Sequence, residues 1–172
     1  MLATGGLLVR PAEPCDVPAL HAVIQRAYRG ESAKQGWTHE ADLLDDERIT
    51  TDALTAIVDD AASLLLLAER AGTPVGSVQL TDKGHGEVYL GLFCIDPTIQ
   101  GGGLGRALLA AAEDIARSHF AATRITMTVI DRRTELIAYY TRRGYREVAW
   151  RLDFIVPRDP PLFMTRLEKR LA

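Results

Sequence analysis

The chain has 172 residues, 47% of them hydrophobic and 25% charged, which suits one globular domain over residues 1–172 with a core of its own. Its net charge of −3, without a basic stripe, argues against nucleic-acid binding. Cys15 and Cys94 lie far apart and lack metal-ligand spacing, so we expect a reduced, cytoplasmic protein without a bound metal. No apolar run approaches the roughly 20 residues that span a membrane, so no membrane partner is expected.

The spacing of apolar residues predicts strands and helices along the whole chain. The predicted strands cover residues 7–10, 63–69, 75–80, 87–96, 124–130, 145–154 and 162–167. The predicted helices run from Asp16 to Gly30, Thr38 to Leu44, Thr51 to Asp60, Leu104 to Ser118 and Thr134 to Gly144. Neighbouring hairpins indicate antiparallel pairs, whereas the strand–helix–strand unit over 87–130 indicates a parallel pair. We therefore expect an α/β (α+β) fold with a mixed sheet.

A glycine-rich turn separates the strand that ends near Ile95 from the helix that begins at Leu104. Its glycines are Gly101, Gly102, Gly103 and Gly105. A helix N-terminus offers unpaired N–H groups and partial positive charge, and glycines let a ligand approach the backbone closely, so the turn predicts a pyrophosphate site. Neither the P-loop nor the dinucleotide pattern fits. No Lys-Ser or Lys-Thr pair follows the glycines, and Arg106 stands where the last glycine of GxGxxG belongs.

Two segments resemble the motifs of the GCN5-related N-acetyltransferases, the GNAT superfamily. Gln100, Gly103 and Gly105 fill the Q-x-x-G-x-G spacing of that family's acetyl-CoA pyrophosphate loop, and LIAYYTRRGY at 136–145 is similar to its A-x-x-[FLY]-Y-x-x-x-G-[FY] segment. The resemblance implies about six or seven strands, about four or five helices, and two central strands splayed around the pantetheine arm. It also implies acetyl-CoA as cosubstrate, bound by Phe93, Cys94, Ile95, Gln100, Gly101, Gly102, Gly103, Leu104, Gly105 and Arg106.

The resemblance further implies direct transfer of an acetyl group from acetyl-CoA to a primary amine, on a small molecule or a peptide, in a ternary complex. A backbone N–H near Phe93 or Cys94 would stabilise the tetrahedral oxyanion. Tyr140 takes the motif position of the tyrosine that protonates the leaving thiolate, with packing as its alternative role. Because no histidine lies near Cys94 in sequence, an acetyl-cysteine intermediate is not expected.

Glu87 is the expected catalytic base, since several relatives carry a carboxylate at the start of this strand; the alternative is a solvent-exposed strand-end carboxylate. Counting by two from Glu87 places Phe93 on the same strand face and Leu92 on the other. Tyr139 lies about 100° from Tyr140 around the helix, so we expect Tyr139 to pack outside the cleft.

The polar segment between the first two helices borders the acceptor cleft in the resembled family. Here it contributes Glu31, Trp37, His39, Glu40, Asp42, Asp45 and Asp46. Two interpretations stay open: carboxylates that attract an ammonium-bearing acceptor onto Trp37, or a solvated acidic loop. Arg132 or Arg133 stands near the place of an asparagine that contacts CoA in many relatives, and either meets a CoA phosphate or faces solvent.

A non-catalytic module that binds and senses acyl-CoA is the alternative function. Such a sensor could keep the glycine loop while dropping the tyrosine, so the presence of Tyr140 favours the enzyme. The identity of the acceptor amine stays open at this stage. So does a homodimer formed through a sheet edge supplied by the last strands.

Overall fold

A mixed sheet of eight strands, counted over the described residues, organises the chain. The computed structural model describes residues 2–4, 6–38, 40–44, 46–154, 157 and 159–172. The strands are β1 (Leu2–Thr4), β2 (Leu7–Pro11), β3 (Ser63–Arg70), β4 (Thr73–Gly84), β5 (Glu87–Ile95), β6 (Arg124–Ile130), β7 (Arg146–Asp153) and β8 (Phe163–Arg170). The helices are α1 (Val17–Tyr28), α2 (Gly30–Ala33), α3 (Thr51–Asp59), α4 (Leu104–Phe120) and α5 (Thr134–Thr141). Their order in the sheet is β1-β2-β3-β4-β5-β6-β8-β7.

The mixed sheet and most element positions are confirmed, with β1 added as an antiparallel partner of β2. The helix predicted from Thr38 to Leu44 is wrong, because the described residues of that segment form bends and turns. Its polar side chains bond to distant elements instead, as when Arg29 donates to Glu40 at 2.5 Å and Arg133 donates to Thr38 at 3.5 Å. These tertiary contacts outweigh the local helix signal.

Helices cover both faces of the sheet. On one face, α1 and α3 bury Leu20, Ile24 and Leu54 against β3 and β5. On the other face, α4 buries Leu104 and Leu108 in the larger core, which α5 also joins. The predicted apolar spacing of α4 is confirmed, because its buried residues recur at intervals of three and four.

The two central strands separate halfway along their length. β5 and β6 pair in parallel over three residue pairs: Glu87 with Arg124, Val88 with Ile125 and Tyr89 with Thr126. Beyond them β5 pairs only with β4, and β6 only with β8, within the chain that the structure describes. Each strand therefore presents a backbone edge to the gap, so the splay implied by the family resemblance is present.

A β-bulge at Leu92 reverses the side-chain alternation of β5. Leu92 has φ of 45°, and the register against β4 shifts at this point. Leu90 lies in the core under α4, whereas Leu92 and Cys94 lie in the core under α1. The prediction that Phe93 shares a strand face with Glu87 is wrong. Phe93 packs with the α4 core, because a bulge adds a residue that simple counting by two does not foresee.

Of the last two strands of the chain, only β7 lies at an edge of the sheet. β8 lies between β6 and β7, and its backbone pairs with both of them. β7 is thus the strand at this edge. A dimer through a sheet edge would have to use β7 rather than β8.

Glu87 joins three strands at the point where the gap begins. Its carboxylate accepts hydrogen bonds from Arg124 at 2.9 and 3.1 Å, from Thr126 at 3.0 Å and from Arg166 at 2.6 Å. Burial alone would raise the pKa of Glu87, but the bonds from Arg124 and Thr126 and the charge of Arg166 outweigh it, so the pKa is lowered. The network therefore holds β5, β6 and β8 together below the cleft.

Replacing Glu87 should weaken the fold in a pH-dependent way. Glu87→Gln is expected to reduce the free energy of unfolding by about 2 kcal/mol near neutral pH, because two arginines lose their charged partner. A lowered folded-state pKa gives stability that is present above the unfolded value of about 4.3 and lost as pH falls through the folded value. Urea unfolding of both proteins across pH should therefore show the difference shrinking in acid.

The exposed Glu135→Gln change is the control and should stay within about 0.5 kcal/mol of the unmodified protein at every pH. Equal unfolding midpoints for Glu87→Gln and Glu135→Gln would contradict the role given to the network.

Candidate active site

A cavity of about 540 Å³ opens where β5 and β6 separate. Its walls come from the facing edges of both strands, the glycine turn before α4, one side of α5, and the segment that follows α1. We call the part at Gln100–Arg106 the loop end, and the part at Arg29, Glu40, Arg48 and Arg133 the far end. Strand edges without a partner across the gap offer N–H and C=O groups, so an extended amide-bearing chain can pair with them.

The loop end is a helix N-terminus entered through three residues in left-handed conformations. Gly101, Gly102 and Gly103 have φ of 110°, 57° and 80°, values that favour glycine because a Cβ would be strained. α4 begins at Leu104, directly after them, and its first turn lines this end of the cavity. The predicted glycine cradle therefore has the geometry that binds phosphate oxygens.

Gln100 connects the glycine turn to the segment after α1. Its Nε2 donates to the carbonyl of Ile95 at 3.1 Å, and its Oε1 accepts from the backbone N–H of Trp37 at 3.1 Å. Gly36 allows this approach, since a Cβ there would lie 3.0 Å from Oε1 of Gln100. Gln100 thus fixes the shape of the loop end through contacts within the protein.

Tyr139 and Tyr140 both line the cavity, so the expectation that Tyr139 packs outside the cleft is wrong. The two rings contact different neighbours: Tyr139 packs with Trp37 at a ring distance of 5.4 Å, while Tyr140 packs with Phe93 at 6.2 Å. The guanidinium of Arg143 lies 3.4 Å from the Tyr139 ring centroid, and its buried Nε has no partner. Arg143 therefore adds positive charge beside the loop end.

Tyr140 is almost fully buried, with 3% of its surface exposed. Burial raises its pKa well above the ordinary value of a tyrosine, and the neighbouring Tyr28 adds to the effect. Among the described residues none accepts or donates a hydrogen bond at its hydroxyl. Tyr140 therefore lines the cavity with a side chain whose hydroxyl stays protonated at neutral pH.

Cys94 contributes backbone rather than a reactive thiol. Its Sγ lies in the core under α1, 3.4 Å from the hydroxyl of Ser77, and burial raises its pKa to about 11. A thiol with this pKa stays protonated at neutral pH, which agrees with the expectation of no acetyl-cysteine intermediate. The carbonyl of Phe93 accepts a hydrogen bond from Tyr28 at 2.8 Å, so this carbonyl is fixed while the strand edge faces the gap.

Glu87, the expected base, lies outside the described lining of this cavity. Its carboxylate is held by Arg124, Arg166 and Thr126 at the foot of the gap. The structure therefore does not bring Glu87 together with Tyr140, and a role in deprotonating the amine gains no support from this placement.

The acidic segment after α1 pairs its carboxylates with cations of the same protein. The ion pairs are Glu31–Lys34, Asp42–Lys34, Asp46–Arg29, Glu40–Arg29, Glu40–Arg48 and Glu40–Arg133. His39 and Asp45 lie outside the described residues. Glu40 fits neither a solvated acidic loop nor a free carboxylate that attracts an ammonium. It is buried and already has three cationic neighbours. An acceptor ammonium would have to compete with arginines for this carboxylate.

Arg133 and Arg132 differ in position. Arg133 lines the far end, where it donates to Glu40 at 3.4 Å, while Arg132 is exposed and outside the lining. The cavity is also lined by Arg29, Arg48 and Arg143, which were not predicted from the sequence. No local pattern marks them, because Arg29 and Arg133 meet their shared partner Glu40 across 11 and 93 positions of sequence.

The described residues contain no group of three or more His, Cys, Asp or Glu side chains that could hold a metal ion. In the same part of the chain, no helix is long and apolar enough to cross a membrane. The cradle at the loop end, by contrast, fits an anionic group on two grounds: its glycine conformations and the unpartnered Nε of Arg143 beside it.

Two characterised proteins are similar in sequence to part of the chain. Mycothiol acetyltransferase of Salinispora tropica is 35% identical over 92 residues, which cover 50% of this chain and 29% of that protein. IAA acetyltransferase of Azospirillum brasilense is 35% identical over 85 residues, which cover 48% of this chain and 54% of that protein. The chain thus spans about half, or less, of the length of these relatives.

Solved structures match over nearly the whole fold. The ribosomal-protein-S18-alanine N-acetyltransferase of Escherichia coli superposes with a TM-score of 0.75 at 18% identity, covering 96% of this chain and 94% of that one. The spermidine N-acetyltransferase of Vibrio cholerae, solved with CoA and spermine, gives 0.74 at 19% identity and covers 98% and 97%. The sequence model of the acetyltransferase (GNAT) family matches residues 19–145, well over half of the chain. The chain therefore belongs to the acetyltransferase (GNAT) family.

Proposed function

We propose that this protein transfers an acetyl group from acetyl-CoA to a primary amine by direct attack in a ternary complex. The observation that carries the proposal is the cavity itself. It joins a glycine-built helix N-terminus to the buried hydroxyl of Tyr140 through the gap between β5 and β6. One end of this cavity suits phosphates, the gap suits an extended amide chain, and the centre carries a proton donor.

Acetyl-CoA would enter with its pyrophosphate on the N–H groups of Gly103 and Gly105, since the N–H of Leu104 already donates to the carbonyl of Gly101 at 3.2 Å. Arg106 and Arg143 line this end of the cavity and supply positive charge there. The pantetheine amides would pair with the edge of β5, the backbone of Phe93 to Ile95, much as an added strand does. The carbonyls of Phe93 and Ile95 each accept one side-chain bond already and keep a second lone pair for this purpose. This arrangement directs the thioester toward Tyr140.

Transfer would begin when the neutral amine attacks the thioester carbonyl and forms a tetrahedral oxyanion. A backbone N–H of Phe93 or Cys94, beside the bulge, would stabilise the charge on that oxygen. Collapse restores the carbonyl as an amide, breaks the carbon–sulfur bond and releases the extra proton of the attacking nitrogen to solvent. Tyr140 would donate its proton to the departing thiolate and regain one from solvent. Because the thiolate is desolvated in the same cavity, its own basicity also rises, which favours this transfer.

The amine would reach the site already neutral. Of the cavity carboxylates that the structure describes, Glu40 and Asp46 are bound by arginines and Glu47 contacts His21 at 3.0 Å. Glu87 is not part of the proposal, because its carboxylate is fully engaged at the foot of the gap. Neutral amine is supplied by solution, where primary amines have a pKa of about 10.

Cofactor binding can be tested at the first turn of α4. Gly105→Glu should weaken binding of CoA by at least about tenfold, because it adds a carboxylate where the pyrophosphate would lie. Gly105 has a helical backbone, and a Cβ there would meet nothing nearer than the Tyr139 hydroxyl at 3.4 Å, so folding should survive. Isothermal titration of CoA into both proteins gives the two dissociation constants.

Ala110→Glu is the matched control, since Ala110 is exposed on the same helix beyond the first turn. Its dissociation constant for CoA should equal that of the unmodified protein. Unchanged binding in Gly105→Glu, or no CoA binding by folded unmodified protein, would remove the basis of the proposed function.

The role of Tyr140 can be tested with saturating acetyl-CoA and amine. Tyr140→Phe should lower kcat by about 100-fold or more while CoA binding stays unchanged, because the thiolate loses its proton donor. Since its pKa lies well above 10, wild-type kcat should not fall between about pH 7 and 9.5. Thiol release, followed with a chromogenic reagent, measures both quantities.

Tyr145→Phe is the control for loss of a buried tyrosine hydroxyl. Tyr145 donates to Glu113 at 3.1 Å outside the cavity, so its replacement should cost about 1 kcal/mol of stability and leave kcat within about threefold. Equal kcat losses in the Tyr140 and Tyr145 variants would argue against a proton-donor role. Binding of acetyl-CoA without thiol release for any amine would favour the alternative of an acyl-CoA sensor.

A further inference from the structure

Three arginines from different parts of the chain meet around one buried carboxylate at the far end of the cavity. Arg29 follows the last turn of α1, Arg48 precedes α3 and Arg133 precedes α5. Their guanidinium nitrogens lie 2.5, 3.7 and 3.4 Å from the oxygens of Glu40. All four residues line the cavity.

The three guanidiniums are not equally satisfied. Arg29 donates to Glu40, to the backbone carbonyls of Tyr28 and Asp46, and to the Asp46 carboxylate. Among the described residues, Arg133 makes two long bonds only, at 3.4 and 3.5 Å, and its buried Nε has no partner there. Arg48 makes no side-chain hydrogen bond to any residue that the structure describes. Arg29 is therefore structural, whereas Arg48 and Arg133 have donors to spare.

The unused N–H donors of Arg48 and Arg133 favour an anionic ligand. Arg133 is 13% exposed, and a buried cationic group with incomplete hydrogen bonding costs free energy unless something else satisfies it. Arg48 is held by its contact with the face of the Tyr28 ring, 4.9 Å from the centroid, which leaves its planar fork free. A carboxylate accepts several such N–H bonds at once, whereas an ammonium would be repelled.

The two arginines lie within reach of the transfer point. The ring of Tyr28 carries Arg48 on its face, and its hydroxyl touches the carbonyl of Phe93 at the bulge. Arg133 stands seven positions before Tyr140, which is about two turns along the same side of α5, or roughly 10 Å. A molecule that anchors at the far end can therefore direct its other end toward Tyr140.

Resting on the proposed function, we infer that the acceptor amine also carries a carboxylate, which Arg48 and Arg133 bind. Glu40 acts as a positioning residue, since it holds the two arginines in place without touching the acceptor. The acceptor class is thus amino carboxylates rather than polyamines. Selectivity arises because replacing the carboxylate by a neutral amide removes the partner of both guanidiniums.

The first arm of the test compares acceptors that differ in one group. Thiol release from acetyl-CoA is measured with amino acids and ω-amino acids of increasing chain length, with the corresponding amino amides, with aminoalkyl phosphates and with spermidine. For at least one amino carboxylate, we expect kcat/KM to be about tenfold or more higher than for the corresponding amino amide. Equal or better turnover of the amides, phosphates or spermidine overturns the inference, and so does failure to turn over any carboxylate.

The second arm changes the protein. Arg48→Gln should raise KM for the best amino carboxylate by roughly 10- to 100-fold and leave KM for its amide unchanged. Arg48→Lys should recover part of the loss, since it keeps the charge without the fork. Arg117→Gln, on the outer surface of α4 where Arg117 pairs with Asp114, is the control. A uniform loss for carboxylate and amide in Arg48→Gln would indicate a structural role only and overturn the inference.

These results separate the inference from the function on which it rests. Transfer to amides or polyamines, with intact CoA binding, would leave the acetyltransferase proposal standing and remove the carboxylate site. Absence of CoA binding in calorimetry would remove the acetyltransferase proposal and the inference with it.

Discussion

The parting of β5 and β6 is the constraint on which the rest of the site depends. Backbone N–H and C=O groups inside a protein need partners, so two central strands that stop pairing must be held apart and supplied with other partners. Glu87 fixes the foot of the gap through arginines on β6 and β8, and Tyr89 bonds to Thr128 across it at 2.7 Å. Beyond this clamp both edges line the cavity, and Tyr28 and Gln100 bond to the β5 carbonyls of Phe93 and Ile95.

Charged side chains lie at both ends of the cavity, and an uncharged tyrosine lies between them. The loop end combines the α4 N-terminus with Arg106 and Arg143, and the far end has Arg48 and Arg133 around Glu40. Between them, burial keeps Tyr140 protonated. A cavity of this kind discriminates by charge at its ends, while its centre avoids charged groups that would compete for the developing oxyanion.

Features with local causes could be predicted from the sequence. The spacing of apolar residues gave α4 its position, the glycine turn predicted its left-handed entry, and most strands fall where β-branched and apolar runs predicted them. Three features have no local signal in the sequence. The bulge at Leu92 depends on the register against β4, and the position of Tyr139 depends on its contact with Trp37. The splay depends on which strands pair, and only the family resemblance implied it.

The acidic segment shows why composition alone misjudges a binding site. Read along the chain, residues 31–46 are rich in carboxylates and indicate an anionic surface. In the fold, Arg29, Arg48 and Arg133 converge on Glu40, so this carboxylate is surrounded by cations rather than exposed to an acceptor. Electrostatic selectivity depends on how charges pair in the folded protein. The hydrogen-bond donors that the protein's own carboxylates do not occupy therefore determine which acceptor binds.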